Sequence, residues 1–294
     1  MDEAQRLAAI QAGALAGAGH AFNRPTQTPA GMLGEQLGSG IGNSIEFMDY
    51  REYTPGDDLR RIDWSAYARS DRLVIKLHRE EVTPHLDLLL DVSGSMALTG
   101  SAKPEALVGL ASALAAAADN ARMTRRAYAA GARLEPIPGG EGDPRAWRWP
   151  GFATADATAT LTSALHEVAI PMRPRGVRVL ISDLLSPDDP WPIVTRLAEK
   201  AASVHVIQLL AKQDVDPAWH GDLRLFDSES GAAQELRLDA TAVARYRQQL
   251  DRLREQWRSA CARAGVRLTE LIAEEFTAEW DLSELLKAGV LRAA

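Results

Sequence analysis

This chain of 294 residues has a single cysteine, no long hydrophobic run and no net positive charge, and each of these features argues against a class of protein. The single cysteine, Cys261, excludes an internal disulfide framework and a cysteine-based zinc site, and it favours a reducing compartment. No run of about 20 apolar residues is present, so no membrane-spanning helix is predicted. The formal net charge of −7 argues against general binding of nucleic acid or anionic membranes.

The N-terminus also lacks the basic cluster of a secretory signal peptide, because two acidic residues directly follow the first methionine. We predict instead a short amphipathic helix that buries Leu7, Ile10 and Leu15. A loop rich in glycine and proline follows the helix, and residues 1–44 are interpreted as this helix and loop. The protein is therefore expected to be cytoplasmic.

Residues 45–83 form a different segment, which we interpret as a β-rich extension. Strand-like pieces near 45–54 and 72–79 enclose a turn at 55–58. Three acids lie in or after this turn: Asp57, Asp58 and Asp63. They could form a metal cluster, but turn formation and helix capping are the commoner roles of aspartate after Pro-Gly. Trp64 is predicted to be buried with its N–H hydrogen-bonded.

Strands and helices alternate through residues 84–294. The predicted strands are 85–91, 177–183, 203–210 and 266–272, and the predicted helices are 104–118, 160–169, 190–201 and 241–264. Hairpins are predicted across 126–134 and 223–238. This alternation is typical of an α/β domain with a mainly parallel sheet and helices on both faces.

The stretch LLLDVSGSM places Asp91, Ser93 and Ser95 directly after a buried strand. In parallel sheets, ligands bind beyond the carboxyl ends of the strands. Gly94 lets the loop curl so that both hydroxyls can converge, and a second strand ends on Asp183. Oxygen-only donors favour a hard cation such as Mg²⁺ over zinc. The residues therefore predict a cation site, although capping of the following helix is an alternative role for either serine.

The D-x-S-x-S motif resembles the metal-ion-dependent adhesion site of von Willebrand factor A domains. The rest of the chain resembles the bacterial family called domain of unknown function 58, which often accompanies MoxR-type AAA+ ATPases. The stretches that carry this resemblance are EFMDYREYTPGDDLRRIDWSAYARSDRLVIK, DVSGSM, LISDLLSP, GDLRLFDSESG and YRQQLDRL. The resemblance as a whole covers residues 34 to about 288. The first is highly specific, whereas D-x-S-x-S alone is not.

The resemblance implies a von Willebrand factor A-like, Rossmann-type fold and a ligand set for Mg²⁺, or for Mn²⁺ or Ca²⁺ in its place. It implies that Ser93 and Ser95 bind the cation directly, while Asp91 and Asp183 hold it mainly through water. A further hydroxyl normally comes from a threonine in the loop before the helix predicted at 160–169.

This third hydroxyl is where the sequence departs from the family pattern. Ala159 occupies the position at which the threonine is expected. Thr160 is our choice for the missing ligand because it lies at the helix start, and Thr158 is the substitute.

The resemblance also implies a function without catalysis: an adaptor of a MoxR-type AAA+ ATPase in the assembly or remodelling of protein complexes. A cation whose carboxylates bind through water keeps an exchangeable position. We expect a client protein to fill that position with an acidic residue. The resemblance assigns no chemistry to the segment at 45–83.

Three other functions remain open from the residues alone. The first is a Mg²⁺-dependent phosphatase or phosphotransferase with Asp91 as nucleophile, but Ser93 stands where such enzymes carry a second aspartate. The second is a serine hydrolase on Ser93 or Ser95, for which the G-x-S-x-G pattern is missing. The histidines form no short-spaced pair, and His85 and His205 lie inside or beside predicted strands, where a hydrogen-bonded structural role is expected. The third is a scaffold with a vestigial metal site.

Overall fold

The computed structural model describes residues 1–23, 47–78, 84–98, 100–152, 161–166, 172–186, 188–218, 221–226 and 232–294. The chain divides into two compact units: Met1–Met32 with Pro84–Ala294, and Leu33–Thr83. The first unit contains the central sheet, and the two units are described separately below.

The described residues form α-helices and β-strands that we number in chain order. The helices are α1 Glu3–Ala18, α2 Trp64–Ser70, α3 Lys103–Asn120, α4 Leu161–His166, α5 Pro190–Ala198, α6 Lys212–Val215, α7 Ala240–Ala264, α8 Ala273–Glu279 and α9 Ser283–Lys287. The strands are β1 His20–Phe22, β2 Phe47–Glu52, β3 Val74–His78, β4 His85–Asp91, β5 Thr124–Ala130, β6 Leu134–Pro136, β7 Val177–Ser182, β8 Ser203–Leu210, β9 Gly221–Phe226, β10 Ala233–Leu238, β11 Arg267–Ile272 and β12 Leu291–Ala293. Among these helices, none has the length and apolar character that crossing a bilayer requires.

The central sheet has six strands among the described residues, in the order β11-β8-β7-β4-β5-β6. All neighbouring strands are parallel except β5 and β6, which form the hairpin predicted at 126–134. The chain passes from β4 to β5 on one side and later returns to β7 on the other side. The strand order therefore reverses between β4 and β7, where ligands of α/β proteins commonly bind. The predicted α/β class with a mainly parallel sheet is confirmed.

Both faces of the sheet are covered by helices. Successive side chains of a strand point to opposite faces, so each buried strand contributes to two hydrophobic layers. Three buried leucines of β4 belong to the cluster that contains α3 and α8: Leu86, Leu88 and Leu90. Leu89 points the other way and joins Leu180, α5 and α7. The continuous apolar runs that predicted two-sided burial thus lie between two helical layers, as expected.

Helix α1 packs on α3 through small residues, which corrects the predicted apolar stripe. Ile10 is buried, but the exposed fractions of Leu7 and Leu15 are 41% and 79%. A Cβ atom on Gly13 would collide with the backbone of Gly109, so glycine permits the close approach of the two helices. The expectation that Leu7 and Leu15 are buried is wrong because backbone proximity, rather than side-chain size, selects the contact face.

The C-terminal part of the first unit combines predicted and unpredicted elements. Helix α7 buries Leu250 and Trp257 and ends at Gly265, which adopts a left-handed conformation with φ of 68°. Strands β9 and β10 form the hairpin predicted at 223–238. Helices α8 and α9 and the antiparallel pair β1–β12 were not predicted, and the last strand brings the chain's two ends together.

The second unit contains the antiparallel pair β2–β3, in agreement with the two predicted strands. A 3₁₀ turn at Leu59–Arg61 and helix α2 lie between them, where only a turn was predicted. Trp64 begins α2, is 60% exposed, and packs edge-on against Tyr67 with ring centroids 6.3 Å apart. The prediction that Trp64 is buried is wrong, because Asp63 caps the helix and turns the next side chain outward.

Candidate metal centre

Asp91 lies at the carboxyl end of β4, beside the point where the strand order reverses. Its side chain is 7% exposed, and Oδ1 accepts a hydrogen bond of 2.9 Å from the Ser93 backbone N–H. Oδ2 accepts a hydrogen bond from the hydroxyl of Ser182 in β7. The two strands are paired in register at Leu90 and Ile181, which places Ser182 next to Asp91. Both carboxylate oxygens are therefore held by the protein.

The two serines of the motif follow Asp91 in a short turn. A 3₁₀ helix spans Gly94–Ala97, and Ser93 stands at its N-cap without making a side-chain capping bond. Helix α3 begins after Ala102, so neither serine caps it. Instead, the hydroxyl oxygens of Ser93 and Ser95 lie 3.1 Å from each other. The structure thus disfavours the helix-capping alternative and brings both hydroxyls together.

Asp183 follows β7 at the same edge and is 2% exposed. Its Oδ1 accepts a hydrogen bond of 3.2 Å from the Leu185 N–H, and its Oδ2 lies 2.9 Å from the ammonium of Lys103. The side chain of Gln208 in β8 donates a 3.0 Å hydrogen bond to the Asp183 carbonyl. The ammonium of Lys103 also lies 2.9 Å from Oδ2 of Asp214, which belongs to α6. Asp183 is consequently fixed at both ends of its carboxylate.

Electrostatic interaction links the two aspartates. Burial, and after it the negative charge of Asp183, raise the pKa of Asp91 from its ordinary 3.8 to about 6, although hydrogen bonds from Ser182 and Ser93 oppose this change. Asp91 is still mainly ionised at neutral pH. Two buried carboxylates of like charge therefore meet at this edge, an arrangement that a cation would relieve.

Lys103 is a charged member of this cluster that the sequence reasoning missed. Its side chain is 1% exposed. Burial by itself would lower the pKa of Lys103, but the charges of Asp183 and Asp214 outweigh burial and raise it. The available signal was a lysine at the start of a helix predicted to be apolar on nearly all sides, where a buried charge needs a partner.

The remaining predicted ligands cannot be placed beside Asp91, Ser93, Ser95 and Asp183. Thr160, its substitute Thr158 and Ala159 all lie outside the described residues. The third hydroxyl therefore stays a prediction.

The donor atoms present fit a small, hard divalent cation. The 3.1 Å separation of the Ser93 and Ser95 hydroxyl oxygens is close to the spacing of about 3 Å between neighbouring ligands of an octahedral ion with bonds of about 2.1 Å. The Lys103 ammonium pairs with Asp183 and Asp214, and the buried carboxylate of Asp91 adds a further negative charge that interacts with Asp183. Within the described ranges, no group of three or more His, Cys, Asp or Glu side chains is arranged to hold a metal. A cation site at this edge would therefore need the serine hydroxyls as well as the carboxylates.

The acids of the second unit have structural partners, as the commoner reading predicted. Asp57 binds the Arg51 guanidinium at 2.8 Å and accepts a 2.9 Å hydrogen bond from the Thr54 N–H. Asp58 caps the 3₁₀ turn, and Asp63 caps α2. These acids act as turn formers and caps.

The buried histidines occupy the first unit. His85 lies at the amino end of β4, where its ring contacts the Thr124 hydroxyl at 2.7 Å and Oδ1 of Asp87 at 3.1 Å. Burial lowers the pKa of His205 in β8 to about 4, so this ring is neutral at physiological pH. The hydrogen bonds of His85 agree with its expected structural role, whereas for His205 the structure shows burial of the ring.

Comparison with known proteins gives a family but no activity. The uncharacterized proteins Rv1480 of Mycobacterium tuberculosis (strain H37Rv) and Mb1516 of Mycobacterium bovis are each 29% identical over 215 residues, covering 70% of this chain and 68% of the relative. The solved structures that match include the conserved hypothetical protein BatB of Bacteroides thetaiotaomicron, at 8% identity and a TM-score of 0.31, covering 70% of this chain and 98% of that one.

Another match is an aerotolerance-related membrane protein of Bacteroides fragilis, at 12% identity and a TM-score of 0.36, covering 69% of this chain and 99% of that one. TM-scores this low carry no argument about fold or function. Residues 49–259 match the family described as "Protein of unknown function DUF58". Because this match spans more than half of the chain, the protein belongs to the DUF58 family.

Proposed function

We propose that this protein is a non-enzymatic binding module with a von Willebrand factor A-like fold, which uses Mg²⁺ to capture an acidic side chain of another protein. The observation that carries the proposal is the 3.1 Å approach of the Ser93 and Ser95 hydroxyls beside the buried carboxylate of Asp91. Mn²⁺ or Ca²⁺ would be accepted by the same oxygen donors.

The hydrogen bonds of the carboxylates support a role in binding rather than in full neutralisation of the cation. Both oxygens of Asp91 accept hydrogen bonds from Ser93 and Ser182, and both oxygens of Asp183 are engaged by Leu185 and Lys103. Carboxylates held in this way act on the cation through water, whereas the hydroxyls can bind it directly. A cation with neutral direct ligands keeps a strong attraction for an incoming carboxylate.

The family resemblance suggests the partners. We propose that the protein works in the cytoplasm as an adaptor of a MoxR-type AAA+ ATPase, and that the acidic residue belongs to the ATPase or to a client protein. An adjacent gene for such an ATPase would support this assignment.

The direct test of the cation site is titration of the full chain with Mn²⁺, followed by electron paramagnetic resonance. We expect one Mn²⁺ per chain, displaced by excess Mg²⁺. The absence of saturable binding at millimolar Mn²⁺ would overturn the proposal.

The partnership is tested separately by co-purification of the full chain with the candidate ATPase. Complex formation should require Mg²⁺ and disappear in EDTA. Charge-neutral substitution of the partner's acidic residues, one at a time, should abolish the metal-dependent part of the affinity. Equal affinity with and without Mg²⁺ contradicts the metal bridge and instead favours a scaffold with a vestigial site.

The phosphatase alternative makes a different prediction for the same protein. An enzyme that uses Asp91 as nucleophile would hydrolyse a generic aryl phosphate in Mg²⁺, and Asp91→Asn would abolish that turnover. We expect no turnover above that of buffer. Magnesium-dependent hydrolysis that is lost in Asp91→Asn would replace the binding proposal.

A further inference from the structure

We propose that Lys103 is a positioning residue that holds Asp183 away from direct coordination and so keeps the bound cation available to an acidic ligand. This inference rests on the function proposed above, and it assigns to a buried lysine the control of what the cation can bind.

The contacts of Lys103 restrain Asp183 directly. The ammonium lies 2.9 Å from Oδ2 of Asp183, and the Leu185 N–H occupies the other oxygen at 3.2 Å. Each oxygen keeps a further lone pair. The two bonds nevertheless fix the position and orientation of the carboxylate, so that it does not move towards direct coordination unless one of them breaks.

The ammonium itself is held in place from a second side. Oδ2 of Asp214 lies 2.9 Å from Lys103 Nζ and also accepts a 2.8 Å hydrogen bond from the Ala211 N–H at the start of α6. Lys103 is therefore clamped between the segment after β7 and the helix after β8. An ammonium that is 1% exposed and paired twice does not swing into solvent without leaving two buried carboxylates uncompensated.

The backbone on either side of the ammonium is tied to the same edge. Glu274, at the start of α8, accepts hydrogen bonds from the backbone N–H groups of Ala102 at 3.2 Å and of Lys212 at 2.7 Å. The first turns of α3 and α6 are thus joined through one carboxylate. The position of Lys103 is consequently set by three elements that follow β4, β8 and β11.

Removing the ammonium should change two affinities in opposite directions. Without Lys103, Oδ2 of Asp183 becomes free to approach the cation, and one positive charge near the cation disappears. The cation should then bind more tightly, and the protein should neutralise more of its charge. Its affinity for an added carboxylate should fall accordingly. A residue with only a structural role would instead weaken both affinities or affect neither.

The experiment compares the wild-type chain with Lys103→Gln by using Mn²⁺ alone and then Mn²⁺ with acetate as the acidic probe. Electron paramagnetic resonance gives the Mn²⁺ affinity, and paramagnetic relaxation of ¹³C-acetate gives the affinity of the bound ion for a carboxylate. We expect Mn²⁺ affinity to rise about 10-fold and acetate affinity to fall about 10-fold, the scale of one nearby charge in a partly buried site.

Two further variants make the result decisive. Lys200→Gln removes the same charge from an exposed position before β8, at the opposite edge of the sheet, and should change neither affinity. Lys103→Gln combined with Asp214→Asn removes the buried pair without changing the net charge, and it replaces the single variant if that one does not fold. We expect the double variant also to raise Mn²⁺ affinity and lower acetate affinity.

The outcomes separate this inference from the proposed function. If the wild-type chain binds no Mn²⁺, the proposed function fails and this inference fails with it. If the wild-type chain binds Mn²⁺ but removal of Lys103 weakens Mn²⁺ binding or leaves both affinities unchanged, the cation site stands and the positioning role is overturned.

Discussion

Two acid-rich regions of this molecule look alike in sequence and differ in physical state. In the second unit, hydrogen bonding to the Arg51 guanidinium and to Thr54 lowers the pKa of Asp57 to about 2. At the carboxyl edge of the central sheet, burial and the charge of Asp183 raise the pKa of Asp91 to about 6. The neighbours of Asp57 stabilise its ionised form, whereas the surroundings of Asp91 destabilise its ionised form.

The difference shows why the number of acids is a poor guide to a cation site. Asp58 and Asp63 use their oxygens to cap the first turns of helices, which satisfies them locally. Asp91 and Asp183 are buried, and the Lys103 ammonium pairs with Asp183 and Asp214. Uncompensated negative charge beside hydroxyl oxygens, rather than acid density, is the property that favours Mg²⁺.

The largest expected effect is on Mn²⁺ binding by the chain in which both serines are replaced, Ser93→Ala with Ser95→Ala. We expect an affinity loss of at least about 100-fold, because both direct ligands are removed while the carboxylates remain. Titration followed by electron paramagnetic resonance measures the loss.

The matched control for this variant is Asp58→Asn in the other acid-rich region. It removes a carboxylate that caps a 3₁₀ turn and lies 3.5 Å from the Arg60 guanidinium, and Mn²⁺ affinity should not change. Retention of wild-type affinity by the double serine variant, or an equal loss in Asp58→Asn, would contradict the distinction between the two regions.

The second prediction concerns the stability of the metal-free protein. Asp91→Asn should increase the free energy of unfolding by about 3 kcal/mol at pH 8, because it removes a buried anion whose pKa is raised by roughly two units. The new amide can still accept from the Ser93 N–H and donate to the Ser182 hydroxyl. Urea unfolding in EDTA, followed by far-UV circular dichroism, measures the change.

The pH dependence of this gain follows from the direction of the shift. Between pH 3.8 and about 6 the folded wild-type chain binds more protons at Asp91 than the unfolded chain does. Its stability therefore falls as the pH rises through this window, and the advantage of Asp91→Asn should be about half as large at pH 5 as at pH 8. A lower free energy of unfolding for Asp91→Asn at pH 8 would show that burial does not destabilise the ionised form of Asp91.

The third prediction concerns Ser182, which joins the two strands at the site by donating to Asp91. Ser182→Ala should weaken Mn²⁺ binding about 10-fold, since loss of a partner behind a metal-binding group typically has an effect of this size. Ser203→Ala, at the amino end of β8, is the control and should bind Mn²⁺ normally. Unchanged affinity in Ser182→Ala would mean that Asp91 needs no orientation by β7.

The smallest expected effect is that of Asp57→Asn, whose sign is opposite to that of Asp91→Asn. The folded-state pKa of Asp57 is lowered, so its contribution to stability is present above pH 3.8 and is lost as the pH falls towards 2. The variant should speed amide exchange at Thr54, whose N–H donates to Asp57. Nuclear magnetic resonance at pH 5 and pH 2.5 tests this, and an exchange difference that grows at the lower pH would be inconsistent with the assignment.

Several elements could be predicted because their signals are local. The strand at 203–210 was predicted with the bounds that the structure shows, since a short apolar run between polar residues is typical of a buried parallel strand. Helix α7 and its glycine cap were likewise predicted to within about one residue. The meeting of Asp91 and Asp183 at one edge was predictable because parallel strands end on the same side.

Other features depend on contacts between distant parts of the chain. Lys103 pairs with Asp183, which is 80 residues away in sequence, and no spacing rule connects such residues. The packing face of α1 was predicted incorrectly because glycine-to-glycine approach leaves no hydrophobic periodicity. The exposure of Trp64 was missed because residue type predicts average burial rather than the direction set by a particular helix cap.

The amino-acid sequence alone was enough to establish the α/β class, the order of most elements and the delivery of oxygen donors to one edge of the sheet. These properties follow from side-chain periodicity and strand direction, which are encoded within a few neighbouring residues. The charge balance of that edge could be known only from the folded chain. Burial, the approach of Asp183 to Asp91 and the ammonium of Lys103 arise where separate crossovers meet, and electrostatic energies depend on those distances and on the exclusion of water.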